Sequence, residues 1–143
     1  KAGVQSLSGV DVELLSARND WGVLMATVID GTGFDQPGRI LLSALGQMEN
    51  TDQRWRDEKK TSLGRQWGKA PTRIEGLGAR IVLPVEASRV DVWALDASGK
   101  RMQAVPISGQ ERAVIELGPQ YQTLWYEVEI LPASLTTLWR WLR

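Results

Sequence analysis

Short apolar segments recur along this chain at intervals of roughly ten residues, and glycine, proline, aspartate or serine closes nearly every one. Val10 to Leu14 alternates apolar and polar. Val23 to Ile29, Arg39 to Leu45, Ala79 to Leu83, Arg89 to Leu95, Met102 to Ile107, Ala113 to Leu117 and Leu124 to Ile130 are runs of similar length, rich in β-formers. No internal segment carries a helical period long enough to compete. The rhythm predicts an all-β fold, an antiparallel β-sandwich of jelly-roll or immunoglobulin-like kind with about seven to nine strands. The first two segments, with Asp30-Gly31 as a turn, read as a hairpin, and Gln36-Pro37-Gly38 turns the chain into a third strand.

At the ends the pattern changes. Residues 1–9 read as a linker-like segment, 10–131 as the sandwich and 132–143 as a tryptophan-rich tail, and the opening Lys1-Ala2-Gly3 reads as that of an excised piece. In the tail, Leu135, Leu138, Trp139 and Leu142 share one face of a short C-terminal helix, whereas Trp139 and Trp141 align on one face of a strand; both readings stay open. Either way, Leu135, Leu138 and a tryptophan are expected to dock on the sandwich or on a second molecule.

The chain has 143 residues, enough for one core without a metal or disulfide staple. Lysine plus arginine equals aspartate plus glutamate at 17 each, so no overall basic field recommends nucleic acid as a partner. No apolar run approaches the ~20 residues that span a bilayer, so no membrane partner is expected. Histidine is absent, which removes the commonest general base and zinc ligand and any Ser-His-Asp arrangement. Cysteine is absent as well, which decides nothing about redox compartment.

Catalysis would have to rest on carboxylates, and Glu49, Asp52, Asp57, Glu58 and Glu75 are the candidates for a glycosidase pair. Spacing does not bring any two of them together, and a wet charged loop accounts for Asp52, Asp57 and Glu58. We therefore expect no enzyme and no catalytic residue. No cofactor is expected either. A structural calcium would draw on Asp30, Asp35, Glu49, Asn50 and Asp52, but nothing matches the dense acidic spacing of a dedicated calcium loop.

Seven tryptophans stand against one phenylalanine. Tryptophan suits half-exposed positions, and sugar rings pack flat on indoles while nearby polar groups bond their hydroxyls. Two groups are candidates for carbohydrate binding. The stretch from Glu49 to Gly76 carries Trp55 beside Asp52 and Arg54, and Trp67 before Gly68. The strand period of two sets Trp93 with Asp91, and Trp125 with Glu127 and Glu129, on single faces. Against this, Trp67 plugging one end of the sandwich, and Trp93 and Trp125 serving the core or an interface, are equally physical uses. Trp55 and Trp125 are the best individual candidates, for a neutral β-linked glucan or related plant polysaccharide.

The segments "GRILLSALGQMENTDQRW", "KTSLGRQWGKAPTRIEGLGARIVLP", "VDVWALDASGKR" and "TLWYEVEI" together resemble a C-terminal β-sandwich module found behind the catalytic barrel of large bacterial glycoside hydrolases and related secreted proteins. The likeness covers roughly Trp21 to Ile130 and is most specific at Asn50, Thr61-Ser62, Trp67-Gly68, Pro71 and Glu75-Gly76. It implies a secreted, extracellular accessory domain that packs on an adjoining catalytic domain or helps hold polysaccharide, and that supplies no catalytic residue. It further implies that the Glu49–Gly76 stretch is a fixed loop closing one end of the sandwich, with Trp67 and Pro71 packed and Asn50 and Glu75 bonding its backbone. The alternative function is a purely structural domain that stabilises or orients the neighbouring barrel.

Overall fold

The computed structural model describes residues 3–16 and 21–134. Alternating side chains dictate the architecture. In the strand Gly78–Leu83, Ala79, Ile81 and Leu83 point inward while Arg80 and Val82 point out; in Ala113–Leu117, the inward set is Ala113, Ile115 and Leu117. Their register sets Ile81 directly opposite Ile115 on one side and Val12 on the other, so one apolar face runs across three strands.

The described residues form two antiparallel sheets packed face to face, a β-sandwich. The first sheet runs in the order β1 (Gln5–Leu7), β2 (Val10–Ser16), β6 (Gly78–Leu83), β10 (Ala113–Leu117) and β9 (Ile107–Ser108). The second runs β3 (Val23–Asp30), β4 (Gly38–Thr51), β11 (Trp125–Ile130), β7 (Val90–Leu95) and β8 (Arg101–Ala104), and β5 (Lys69–Gly76) pairs with β4 off this path. Its inner face is a lattice of cross-strand neighbours, with Val128 flanked by Ile40 and Val92, and Tyr126 flanked by Leu42 and Ala94.

Tyr126 is the largest fully buried side chain. Its hydroxyl donates to the Gly118 carbonyl at 3.2 Å, and its ring meets Tyr121 edge to face with centroids 5.9 Å apart. Burial pushes the phenol above its ordinary pKa, keeping it protonated as a donor. On the outside of the first sheet, Arg80 sits in one cross-strand row between Glu13 and Glu116, at 3.3 and 2.8 Å.

Several expectations are corrected. The segments β2 and β3 do not pair: β2 lies between β1 and β6, and the hairpin at Asp30-Gly31 joins β3 to β4. The run from Met102 to Ile107 is two strands in different sheets, because Pro106 has no N–H with which to continue the ladder. Gln5–Leu7, within the linker-like segment, forms β1 against β2. These divisions, with β5, raise the strand count among the described residues to eleven. Residues 135–143, on which the helix-or-strand and docking expectations fall, lie outside the described residues.

Candidate functional site

The largest departure from the sequence reading positions the first aromatic group. β4 does not stop at Leu45 but runs on to Thr51, and β5 returns along it, with Met48 opposite Ile74, Glu49 opposite Arg73 and Asn50 opposite Thr72. The stretch from Glu49 to Gly76 is therefore a projecting hairpin and its tip, not a plug. Gly46 marks the junction. A Cβ there would lie 2.7 Å from the Glu75 carboxylate, which crosses over the strand to accept the Gln47 N–H at 3.3 Å.

Side chains fix the hairpin where apolar burial does not. The Asn50 amide donates to the Trp67 carbonyl at 3.0 Å and accepts from the Thr72 hydroxyl at 2.7 Å. The Thr51 hydroxyl donates to the Pro71 carbonyl at 2.8 Å. Gly68 has φ near +72°, and its backbone passes so close to Thr51 that a Cβ would lie 2.3 Å from the Thr51 carbonyl oxygen. The expected bonding of the stretch's own backbone is present for Asn50, whereas Glu75 accepts from Gln47, two residues before the stretch. The expected packing of Trp67 and Pro71 is absent: Trp67 is 62% exposed, and Pro71 is exposed too.

Trp55 is half-buried against the hairpin, and its indole N–H donates to a Glu49 carboxylate oxygen at 3.1 Å. Lys60 approaches the same oxygen at 3.7 Å and donates to the Gln47 amide oxygen at 3.4 Å. Asp52 is paired with Lys69 at 2.9 Å. Arg54 is exposed, its backbone N–H held by the Gln66 carbonyl at 3.1 Å. At the tip, the Thr61 hydroxyl and N–H bond Asp57 and hold its carboxyl below the ordinary aspartate range.

The second group lies on the outer face of the second sheet. Trp93 is opposite Glu127, and Trp125, two residues before Glu127, is its diagonal neighbour across the β7–β11 pair, roughly 7–8 Å away between backbones. Trp125 is 39% exposed, beside Ser43 of β4. Trp93 is half-buried, with the Arg101 guanidinium 5.4 Å from its ring centroid. Arg101 donates in turn to Glu127 and Glu129. Trp125 thus faces outward, on the side of its strand that carries Glu127 and Glu129. Sequence reasoning missed Arg101, which follows a turn with nothing to signal its stacking, and the exposed Trp21 just before β3.

The two groups do not form one site. Ser43, beside Trp125, and Asn50, which holds Trp67, are seven positions apart on β4, a backbone spacing of roughly 23 Å along an extended strand at about 3.3 Å per residue. Between them lies a shallow groove of about 350 Å³ lined by Ile74, Gly76, Pro119, Gln122, Thr123 and Leu124, with no ionisable side chain. Glu49 and Glu75, the inner carboxylates of the hairpin, are engaged in holding it. The calcium candidates do not converge either: Asp30 pairs with Arg39 near the start of β4, and Glu49, Asn50 and Asp52 lie toward its far end, roughly 30 Å on. Among the described residues, no cluster of acidic side chains forms a metal site, and no helix is long and apolar enough to cross a membrane, which does not bear on spanning strands.

No family model, curated protein or solved structure matches this chain.

Proposed function

We propose that this chain is a non-catalytic accessory module of a secreted polysaccharide-degrading enzyme, and that it holds a neutral β-linked polysaccharide by stacking on exposed indoles. The observation that carries this reading is the mounting of Trp67. A solvent-exposed indole sits on a backbone that the Asn50 amide pins at its own carbonyl and that the Gly68 turn holds against β4. An exposed apolar ring on an ordered backbone, with polar neighbours, is what a sugar ring needs, because the backbone that carries it need not be ordered on binding.

Trp125 is the second platform, on the firm ground of a central strand. Trp55 moves down the order, since its N–H is committed to Glu49 and its ring is half covered. Trp93 lies under Arg101. Arg54 remains available for sugar hydroxyls, whereas Asp52 is engaged by Lys69.

Affinity gels of β-glucan, xylan and mannan, read together with intrinsic tryptophan fluorescence, test the reading. Stacking on one indole is worth about 1–3 kcal/mol by analogy with bases on aromatic platforms. Trp67→Ala and Trp125→Ala should each weaken retention about tenfold, with melting unchanged. A specific observation favours a second reading, a structural domain orienting an adjoining catalytic barrel: Met25 and Ile29 of β3 are exposed on the same sheet as Trp125, the kind of apolar surface a neighbouring domain covers. Retention on no glycan, or retention indifferent to both variants, would decide for it.

A further inference from the structure

The outer face of the second sheet is low in the middle and apolar at its walls. Ser43 of β4 stands directly between Met25 of β3 and Trp125 of β11, on the side away from the buried Leu42 and Ala44. Met25 and Trp125 are exposed, so a small side chain is flanked by two large ones. Farther along β4, Leu41 lies between Thr27 and Glu127, and Arg39 between Asp30 and Glu129. A shallow trough thus follows β4, with Ile29 exposed on its β3 side. The first sheet has no equivalent, since Glu13, Arg80 and Glu116 form an ion-paired row across its outer face.

We propose that this trough is occupied by residues 135–143 of the same chain, which lie outside the described residues. The point of departure favours it. β11 ends beside β4, with Ile130 opposite Gly38 at the foot of the trough. Leu131 is fixed there, its N–H donating to the Arg89 carbonyl at 2.7 Å and its carbonyl accepting from Arg89 Nε at 3.0 Å, and the chain turns at Ala133 and Ser134. The length suffices. Residues 135–143 number nine, which span about 14 Å at 1.5 Å per residue and about 30 Å at 3.3 Å per residue, against roughly 17 Å along β4 from Gly38 to Ser43. Leu135, Leu138, Trp139, Trp141 and Leu142 supply apolar surface to meet Met25, Ile29, Leu41 and Trp125. Charge is complementary as well. The face carries four carboxylates, on Asp30, Asp91, Glu127 and Glu129, against two guanidiniums, on Arg39 and Arg101, which leaves two negative charges in excess. The segment carries Arg140 and Arg143 and no acid. Docking leaves Trp67 untouched and does not depend on glycan binding.

Paramagnetic broadening in the full chain tests the proposal. The chain has no cysteine, so a nitroxide on Thr137→Cys reports on this segment alone. Amide signals of Met25, Leu41 and Ser43 should broaden more than those of Val12, Ile81 and Ile115 in the first sheet. Ser43→Arg fills the floor of the trough and sets a like charge against the two arginines, so it should restore the first group, with Ile81 and Ile115 unshifted as the sign of an intact fold. Arg140→Glu combined with Arg143→Glu, which alters no described residue, should restore it too. Isotope-labelled chain without nitroxide, mixed with nitroxide-bearing chain without isotope, should show no broadening. Equal broadening in both sheets, or none in either, would overturn the proposal. So would broadening that survives both variants, or broadening in the mixture, which would make the occupant a second copy.

Discussion

The two halves of β4 are one strand under two regimes. From Ile40 to Ala44 every second side chain is buried between the sheets, and Leu42 is 1% exposed. Beyond Gly46 the same strand pairs with β5 outside the sandwich, and Met48 is 65% exposed. Ladder pairing is found in both halves, with a register shift between Leu45 and Met48 where they join. What holds the first is apolar burial against a second sheet, and what holds the second is a set of side-chain bonds from Asn50, Thr51, Glu75 and Glu49. The difference teaches that a strand needs a partner edge to exist and a packed face to be stable, and that only the packed face leaves a hydrophobic period in the sequence.

Substitutions in the two halves should separate these regimes most sharply. Leu42→Ala is expected to cost about 2–5 kcal/mol in denaturant unfolding, the transfer and cavity cost of a filled core position. Met48→Ala, six residues on, should stay within about 0.5 kcal/mol. Equal costs would mean that the hairpin arm is packed against something in solution.

At the junction, Gly46→Ala should cost about 1–3 kcal/mol, since its methyl would meet the Glu75 carboxylate while that group is bound to the Gln47 N–H. Adding Glu75→Ala removes the obstacle, and the double variant should be less destabilised than the sum of the two singles in a double-mutant cycle. Strict additivity would show that Glu75 does not hold the crossing.

Farther out, Asn50→Ala removes bonds to Trp67 and Thr72 and should cost less than about 1.5 kcal/mol globally. Its main effect should appear in amide exchange: Met48 to Asn50 and Thr72 to Ile74 should lose protection by local opening while Ile40 to Ala44 keep theirs. Joint loss in both halves would make the hairpin part of a single cooperative unit.

The smallest effect concerns pH. Asp57 at the hairpin tip and Asp96 in the β7–β8 turn are both held below the ordinary aspartate value, chiefly by the hydroxyls of Thr61 and Ser98 respectively. A lowered folded-state pKa contributes stability that is present above the unfolded value and fades as pH falls through the folded one. Acidification below the ordinary aspartate range should therefore loosen both turns. Exchange at Thr61 should accelerate strongly, because Arg56 to Lys59 and Thr61 are exposed, and at Lys100 less, because the sandwich holds both ends of its turn. Asp57→Asn should abolish the pH dependence at Thr61 alone.

Legibility in the sequence follows the same division. β6, β7, β10 and β11 were readable to within a residue or two at each end, because burial of one or both faces writes apolar residues at fixed spacing. β5, "KAPTRIEG", was read as loop: it is exposed over most of its length, so neither face demands apolar side chains. The outward face of Trp125 was legible from Glu127 and Glu129 at period two. The exposure of Trp67 was not, since a tryptophan before glycine reads alike whether it plugs a sandwich or stands on a hairpin. Arg101 over Trp93 depends on which edges adjoin, and no local pattern states that.

The sequence by itself determined the fold class and the rough extent of most packed strands, because these follow from side-chain period and backbone preference within a few residues. Only the tertiary structure decided which strands pair, that β4 outruns the sandwich, and that Trp55 and Trp67 stand on the hairpin while Trp93 and Trp125 lie on the outer face of the second sheet. Pairing joins residues distant in the chain through backbone groups that every residue carries, so it leaves no mark on side-chain identity except where a face is buried.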